Sequence, residues 1–209
     1  MNTEQAYNTW APSYDTAENP TRDLEARAIR SLIPPGPYTE VIELGCGTGK
    51  NTEWLALRAE RLIAVDFSAE MMQQAQQKAS PNVTFQHADI TKPWQFANAE
   101  AELLTCSLIL EHVQDLGHIF SQAWQALRPG ALFYIGELHP FKQYQGSKAR
   151  FNIAEDEVFE LECYVHHLSD FTENARQQGF RCLRLQEWFD KENQGETPRV
   201  VSFLFQKGS

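Results

Sequence analysis

Apolar residues fall along this chain in two rhythms. Short apolar runs at Val41–Leu44, Leu62–Asp66, Val83–Gln86, Leu103–Ser107 and Ala131–Ile135 predict buried strands. Between them lie longer stretches with helical spacing. Asn51–Arg61 and Ala69–Lys78 predict helices, and Ser68 stands ready to cap the second, with Glu70 in its first turn. Val113, Leu116, Ile119, Phe120, Ala123, Trp124 and Leu127 trace one apolar helix face, which Arg128-Pro129-Gly130 stops. A further helix is expected from Ser169-Asp170 to Gly179. Arg181–Trp188 and Arg199–Phe205 read as two strands joined by a loop containing Gly, Pro and Asn. Ahead of all this, Glu4 to Tyr14 carries Tyr7, Trp10 and Tyr14 at helical spacing. Thr21 to Leu32 places Leu24, Ala28, Ile29 and Leu32 on one face, and Pro34-Pro35-Gly36-Pro37 ends it. Repeated strand–helix units closed by a hairpin predict an α/β fold: a doubly wound, mostly parallel sheet with the last strand antiparallel, plus an N-terminal helical cap.

The first strand runs into Gly45-Cys46-Gly47-Thr48-Gly49. Glycines there let the backbone turn sharply and approach a ligand closely. A glycine-rich turn between strand and helix marks a nucleotide or cofactor site. The dinucleotide fingerprint G-x-G-x-x-G fails because Lys50 stands where the third glycine belongs. The phosphate loop G-x-x-x-x-G-K-[ST] fails because position 44 is Leu and Asn51 follows Lys50. Asp66 ends the second strand, where a carboxylate faces the crevice and can accept from both hydroxyls of a ribose. Phe67 follows and can cover an aromatic face.

Glu43 before the tight glycines resembles motif I of the class I S-adenosylmethionine-dependent methyltransferases, of the small-molecule type. Asp66-Phe67-Ser68 is similar to their motif II, with Met71 one turn on. The resemblance follows the order of elements from Thr3 to Phe205, with its specific motifs between residues 41 and 139, and implies seven strands with one reversed. It implies S-adenosyl-L-methionine as cofactor, held by Gly45, Cys46, Gly47 and Gly49. Asp89, beside Ile90 in His87-Ala88-Asp89-Ile90, is implied to accept from the adenine amino group. The stretch Cys106 to Val113, with Ser107 and His112, is implied to fall beside the methionine part, with His112 either touching it or capping the helix. Trp10-Ala11-Pro12-Ser13-Tyr14-Asp15 resembles the family's cap, whose tyrosine, here Tyr14, closes over the cofactor. Arg22 is a candidate partner for the cofactor's carboxylate, since guanidinium binds carboxylate bidentately.

Composition narrows the acceptor and the setting. At 209 residues a single domain is expected, with residues 1–37 as cap and 140–167 as a substrate lid. A net charge of −10 and a pI near 5.1 argue against a nucleic-acid substrate. Scattered Cys46, Cys106, Cys163 and Cys182 show no metal spacing, so no metal is expected. Met1 to Gln5 lacks the layout of a signal peptide, and no apolar run is long enough to span a bilayer; a cytoplasmic protein is expected. A homodimer stays open. After the fifth strand come Glu137-Leu138-His139-Pro140 and a segment holding Tyr144, Lys148, Arg150, Phe151, Tyr164, His166 and His167. His139 and His167, at element junctions, are the candidate general bases for an acceptor that arrives protonated. The expected reaction is in-line methyl transfer to a small molecule, releasing S-adenosylhomocysteine. The rival reading is a cofactor-binding partner or regulatory protein without catalysis.

Overall fold

The structure is a computed structural model that describes residues 2–147, 150–154, 157–190 and 197–208, with only the backbone at 150–154 and 157–160. The chain opens with α1 (Thr3–Trp10), a 3-10 turn at Ala11–Ser13, and α2 (Pro20–Leu32). There follow β1 (Tyr38–Leu44), α3 (Thr52–Ala56), β2 (Ala59–Asp66), α4 (Ala69–Gln76), β3 (Val83–His87) and β4 (Ala101–Ser107). A 3-10 turn at Leu110–His112 leads to α5 (Leu116–Ala126), β5 (Leu127–Leu138) and α6 (Pro140–Tyr144). The remaining elements are β6 (Arg150–Ala154), β7 (Glu157–Glu160), α7 (Leu168–Gln178), β8 (Phe180–Trp188) and β9 (Val200–Lys207).

Seven strands form one sheet in the order β3-β2-β1-β4-β5-β9-β8. The pairings β2–β3, β1–β2, β1–β4 and β4–β5 are parallel, and β9 runs antiparallel to both β5 and β8. The expected doubly wound sheet with its last strand reversed is therefore present. The reversed strand lies inside the sheet, one place from its edge. Strand alternation splits the apolar residues between two faces. Val41, Leu103, Tyr134 and Leu204 pack under Ile29 and Leu32 of α2 and Leu55 of α3. Ile42, Leu104, Phe133, Phe203 and Phe205 face the other way, against Ile119 and Phe120 of α5 and Phe171 of α7.

Several boundaries moved. The helix expected over Asn51–Arg61 stops at Ala56, because residues from Ala59 onward pair with β1, starting at Tyr38↔Ala59. The helix expected from Val113 begins at Leu116, capped by Asp115, whose side chain accepts from the His118 amide. Ser68 caps α4 as expected, accepting from the Met71 amide, an interaction worth ~1 kcal/mol. Gly179 ends α7 at φ 93°, the left-handed cap that glycine adopts without a Cβ clash. The β6–β7 hairpin and α6 were not foreseen. Among the described residues no helix is long and apolar enough to cross a membrane.

Candidate active site

The order of strands reverses between β1 and β4, and the crevice outside their carboxyl ends is where this class of sheet binds ligands. A cavity opens there. Its floor is made by residues leaving β1 (Gly45, Cys46, Gly47), β2 (Asp66, Phe67), β3 (Asp89, Ile90) and β4 (Ser107, Leu108). Its roof comes from the N-terminal helices, with Tyr7, Tyr14, Arg22 and Glu25.

The glycine turn fits this place for steric reasons. Gly45 has φ +66°, and a Cβ on it would lie 2.4 Å from Ile109 Cγ2. Gly47 has φ +52°, and a Cβ there would meet nothing within 4 Å, so this glycine keeps the cavity open instead of relieving a clash. Leu108 also lines the cavity with φ 56°, a left-handed conformation that costs a leucine free energy and is concentrated at functional sites. The Leu108 amide donates to the Gly136 carbonyl at 2.8 Å, which helps to hold that conformation.

Asp66 is 5% exposed. Its Oδ2 accepts from the Gly47 amide at 2.7 Å and its Oδ1 from the Ser68 amide at 2.8 Å. The carboxylate thus ties the glycine turn to the start of α4. Burial raises its pKa despite those bonds. It has company. Burial pushes the Glu43 and Glu137 carboxyls up to about 8, and Glu25 is also raised. Glu25 Oε1 accepts from Ser107 Oγ at 2.7 Å and from the Tyr134 hydroxyl at 3.1 Å. Glu43 accepts from Thr52 Oγ1 at 2.6 Å, and Glu137 Oε1 accepts from the amides of Ile109 and Leu110. Of these acids Glu25, Glu43 and Asp66 line the cavity, while Glu137 holds the turn at Ile109 and Leu110 from behind.

Arg22 donates Nη1 to the Tyr14 carbonyl at 2.8 Å and Nη2 to the Ala17 carbonyl at 3.0 Å. Its guanidinium lies 4.4 Å from the centre of the Tyr14 ring. Its Nε is buried and has no hydrogen-bond partner, an orphaned donor beside the cavity. Asp89 Oδ1 accepts from the Thr91 amide and hydroxyl.

Tyr14, Arg22, Gly45, Cys46, Gly47, Asp66, Phe67, Met71, Asp89, Ile90, Ser107 and His112 all line this one cavity. Gly49 instead borders a neighbouring polar hollow with Asp15, Asp23 and Lys78. His139 and His167 are brought to neither. His139 is 2% exposed. Its Nδ1 accepts from the Phe141 amide at 3.1 Å, capping α6, and its Nε2 meets Glu187 at 3.0 Å, so both ring nitrogens are engaged. His167 sits ahead of α7 with Nδ1 on the Tyr144 hydroxyl at 2.5 Å. His166 Nε2 donates to the carbonyls of Leu110 and Val113. Lys148 and the side chains of Arg150 and Phe151 lie outside the described residues. Among the described residues no group of three His, Cys, Asp or Glu could hold a metal ion. Burial pushes the Cys46 thiol far up, which removes it from nucleophilic chemistry.

Sequence reading missed Tyr7, Glu25, Thr48 and Leu108 as cavity residues. Tyr7 had a signal, its place in the aromatic spacing of the first helix. Glu25 had none, since a glutamate in a surface-type helix reads as solvated.

Residues 42–135 match a family model described as a methyltransferase domain. The trans-aconitate 2-methyltransferase of Deinococcus radiodurans is 33% identical over 129 residues, which are 61% of this chain and 48% of that protein. The malonyl-[acyl-carrier protein] O-methyltransferase of Xylella fastidiosa is 29% identical over 143 residues, 65% of this chain and 48% of that protein. The chain thus spans about half the length of these curated relatives. Among solved structures, the DhpI–SAH complex superposes with a TM-score of 0.76 at 22% identity, covering 98% of this chain and 94% of that one. That likeness is one of fold.

Proposed function

We propose, from the match of residues 42–135 to a methyltransferase-domain model, that this protein is a class I, Rossmann-like methyltransferase that moves a methyl group from S-adenosylmethionine to a small-molecule acceptor. The observation that carries the proposal is the single cavity at the β1/β4 switch point that gathers the glycine turn, Asp66 and Arg22. The residues suit the donor. Asp66 offers carboxylate oxygens to a ribose, and Phe67 and Ile90 offer apolar faces to a base beside Asp89. The orphaned Arg22 Nε is a charged donor suited to a carboxylate. Glu25, Glu43 and Asp66 line the same cavity, and a cationic guest there would favour their charged forms. When bound, the donor supplies a sulfonium methyl that is already activated for displacement. The chain's task is then to align the acceptor and exclude water. In this reading α1 and α2 are the cap over the donor, and residues 140–167 border the acceptor.

The net charge of −10 supports a small molecule over nucleic acid, and a cytoplasmic setting and a homodimer belong to the same proposal. The test is transfer of label from methyl-labelled S-adenosylmethionine into a deproteinised small-molecule cell extract. We expect a labelled product and an equal amount of S-adenosylhomocysteine. Donor binding by calorimetry without any transfer would favour the non-catalytic reading.

A further inference from the structure

The cavity brings together two side chains from its opposite walls, Tyr7 and His112. Tyr7, on α1, places its hydroxyl 2.9 Å from Nε2 of His112, in the 3-10 turn after β4. The other ring nitrogen, Nδ1, lies 3.1 Å from the Glu162 carbonyl oxygen. A carbonyl only accepts, so Nδ1 carries the hydrogen and Nε2 presents its lone pair to the tyrosine hydroxyl. The Tyr7 ring is held in place. It packs 5.8 Å from Phe67, 6.4 Å from Tyr14 and 5.6 Å from the His112 ring, edge-on to the last. Both residues line the cavity.

The charges around the pair select a kind of acceptor. The carboxyl groups that act on Tyr7 are Glu111 and Asp66, and both raise the cost of ionising its phenol. Besides His112, the basic residues that line the cavity are Arg22 and Lys50. Arg22 is bonded to the Tyr14 and Ala17 carbonyls, and Lys50 is paired with Asp23. With the Arg22 Nε given to the donor's carboxylate in the proposed complex, a carboxylate acceptor near Tyr7 would have Glu111 and Asp66 as neighbours and no guanidinium or ammonium left to hold it. A hydroxyl or a protonated amine would be at home, but each must lose a hydrogen when it is methylated.

We propose that Tyr7 and His112 form a proton relay for an acceptor whose nucleophile is a hydroxyl or an amine; this rests on the methyltransferase reading above. Tyr7 touches the acceptor, and His112 acts through Tyr7. The acceptor heteroatom forms a bond to the methyl carbon while the carbon–sulfur bond breaks with its electron pair on sulfur. The acceptor's hydrogen passes to Tyr7 Oη as the tyrosine's own hydrogen passes to His112 Nε2. The imidazolium then returns its proton to water. Tyr7 stays neutral before and after the step, in keeping with a phenol whose pKa burial holds well above the ordinary value.

The experiment measures labelled methyl transfer into the small-molecule extract at saturating S-adenosylmethionine across pH, for the wild type, Tyr7→Phe and His112→Gln. Glutamine can keep an acceptor near the Tyr7 hydroxyl but cannot take its proton. The relay needs the His112 Nε2 lone pair free, so we expect the wild-type rate to rise with pH to a plateau. Both variants should lose on the order of 10²-fold of that plateau while calorimetric donor affinity changes by less than about fivefold, and His112→Gln should lose the pH rise. The labelled product should resist mild alkali, as an ether or amine does and a methyl ester does not. A His112→Gln enzyme with the full rate and an unchanged profile would reduce the pair to a latch and overturn the relay, as would an alkali-labile ester. No transfer even by the wild type would instead remove the methyltransferase reading beneath it. Long-range nitrogen NMR of the protein alone gives a separate check: a His112 ring protonated on Nε2 rather than Nδ1 would also overturn the relay.

Discussion

Asp66 joins three things with one carboxylate: the Gly47 amide, the Ser68 amide and the proposed ribose. Asp66→Ala should therefore weaken S-adenosylmethionine binding at least tenfold, or about 1.4 kcal/mol, by titration calorimetry; an unchanged affinity would remove the ribose assignment. Gly45 is as exacting for a different reason. At φ +66°, with Ile109 Cγ2 2.4 Å from where a Cβ would lie, Gly45→Ala should cost about 1–3 kcal/mol in chemical denaturation. Glu137 predicts a pH effect. Its folded pKa, near 8, is raised above the unfolded value near 4.5, so the folded state binds the extra proton between those values. Its contribution to stability is complete below about pH 4.5 and is lost as pH rises through 8. Glu137→Gln keeps an acceptor for the Ile109 and Leu110 amides, and should flatten the fall in unfolding free energy over that window. At this scale the sequence was legible where backbone geometry demands one residue type, at Gly45, Gly47 and the strand-end Asp66. It was not legible for Tyr7 and Glu25, whose partners Phe67, His112, Ser107 and Tyr134 are remote in the chain. It also pointed to His139 and His167, which lie at the starts of α6 and α7, outside the lining of the cavity.

Elements were legible in proportion to how much of their pattern was local. The strands announced themselves through apolar runs and α4 through Ser68. The end of α3 did not, because residues 59–61 have helical composition and become strand only by pairing with β1. Whereas α2 is packed on the sheet, α1 and the turn after it are tied down by polar contacts that include Asn8 on Ser68 Oγ at 2.6 Å, Tyr7 on His112, and Asp15 on Thr48 Oγ1 at 2.6 Å and Lys78 Nζ at 2.7 Å. Asp15 and Lys78 are nearly half exposed, so their pair is worth at most about 1 kcal/mol. Asp15→Ala should then leave the global unfolding midpoint almost unchanged, speed protease cleavage within residues 1–20, and weaken donor affinity about threefold. Equal cleavage rates for variant and wild type would show that the other contacts suffice.

For the molecule as a whole, alternating strands and helices predicted the doubly wound sheet, but not that β9 lies between β5 and β8, since both strands of a hairpin carry the same alternation. If the cavity binds the donor, the whole sheet gains from it. S-adenosylhomocysteine at a hundred times its dissociation constant should add about 2.7 kcal/mol and raise the melting temperature by about 5–10 °C. No shift at saturating ligand would count against the site. The position of β9 also has a consequence for turnover of the protein. Among the described residues β8 joins the sheet through β9 alone, so a chain cut ahead of Val200 cannot be trimmed by one strand. It drops two at once and lays bare the β5 backbone beside Phe133 and Ile135, an open edge that invites pairing with other chains. A nicked molecule would thus pass directly from a whole fold to a sticky remnant, with no shortened but serviceable form for quality control to spare.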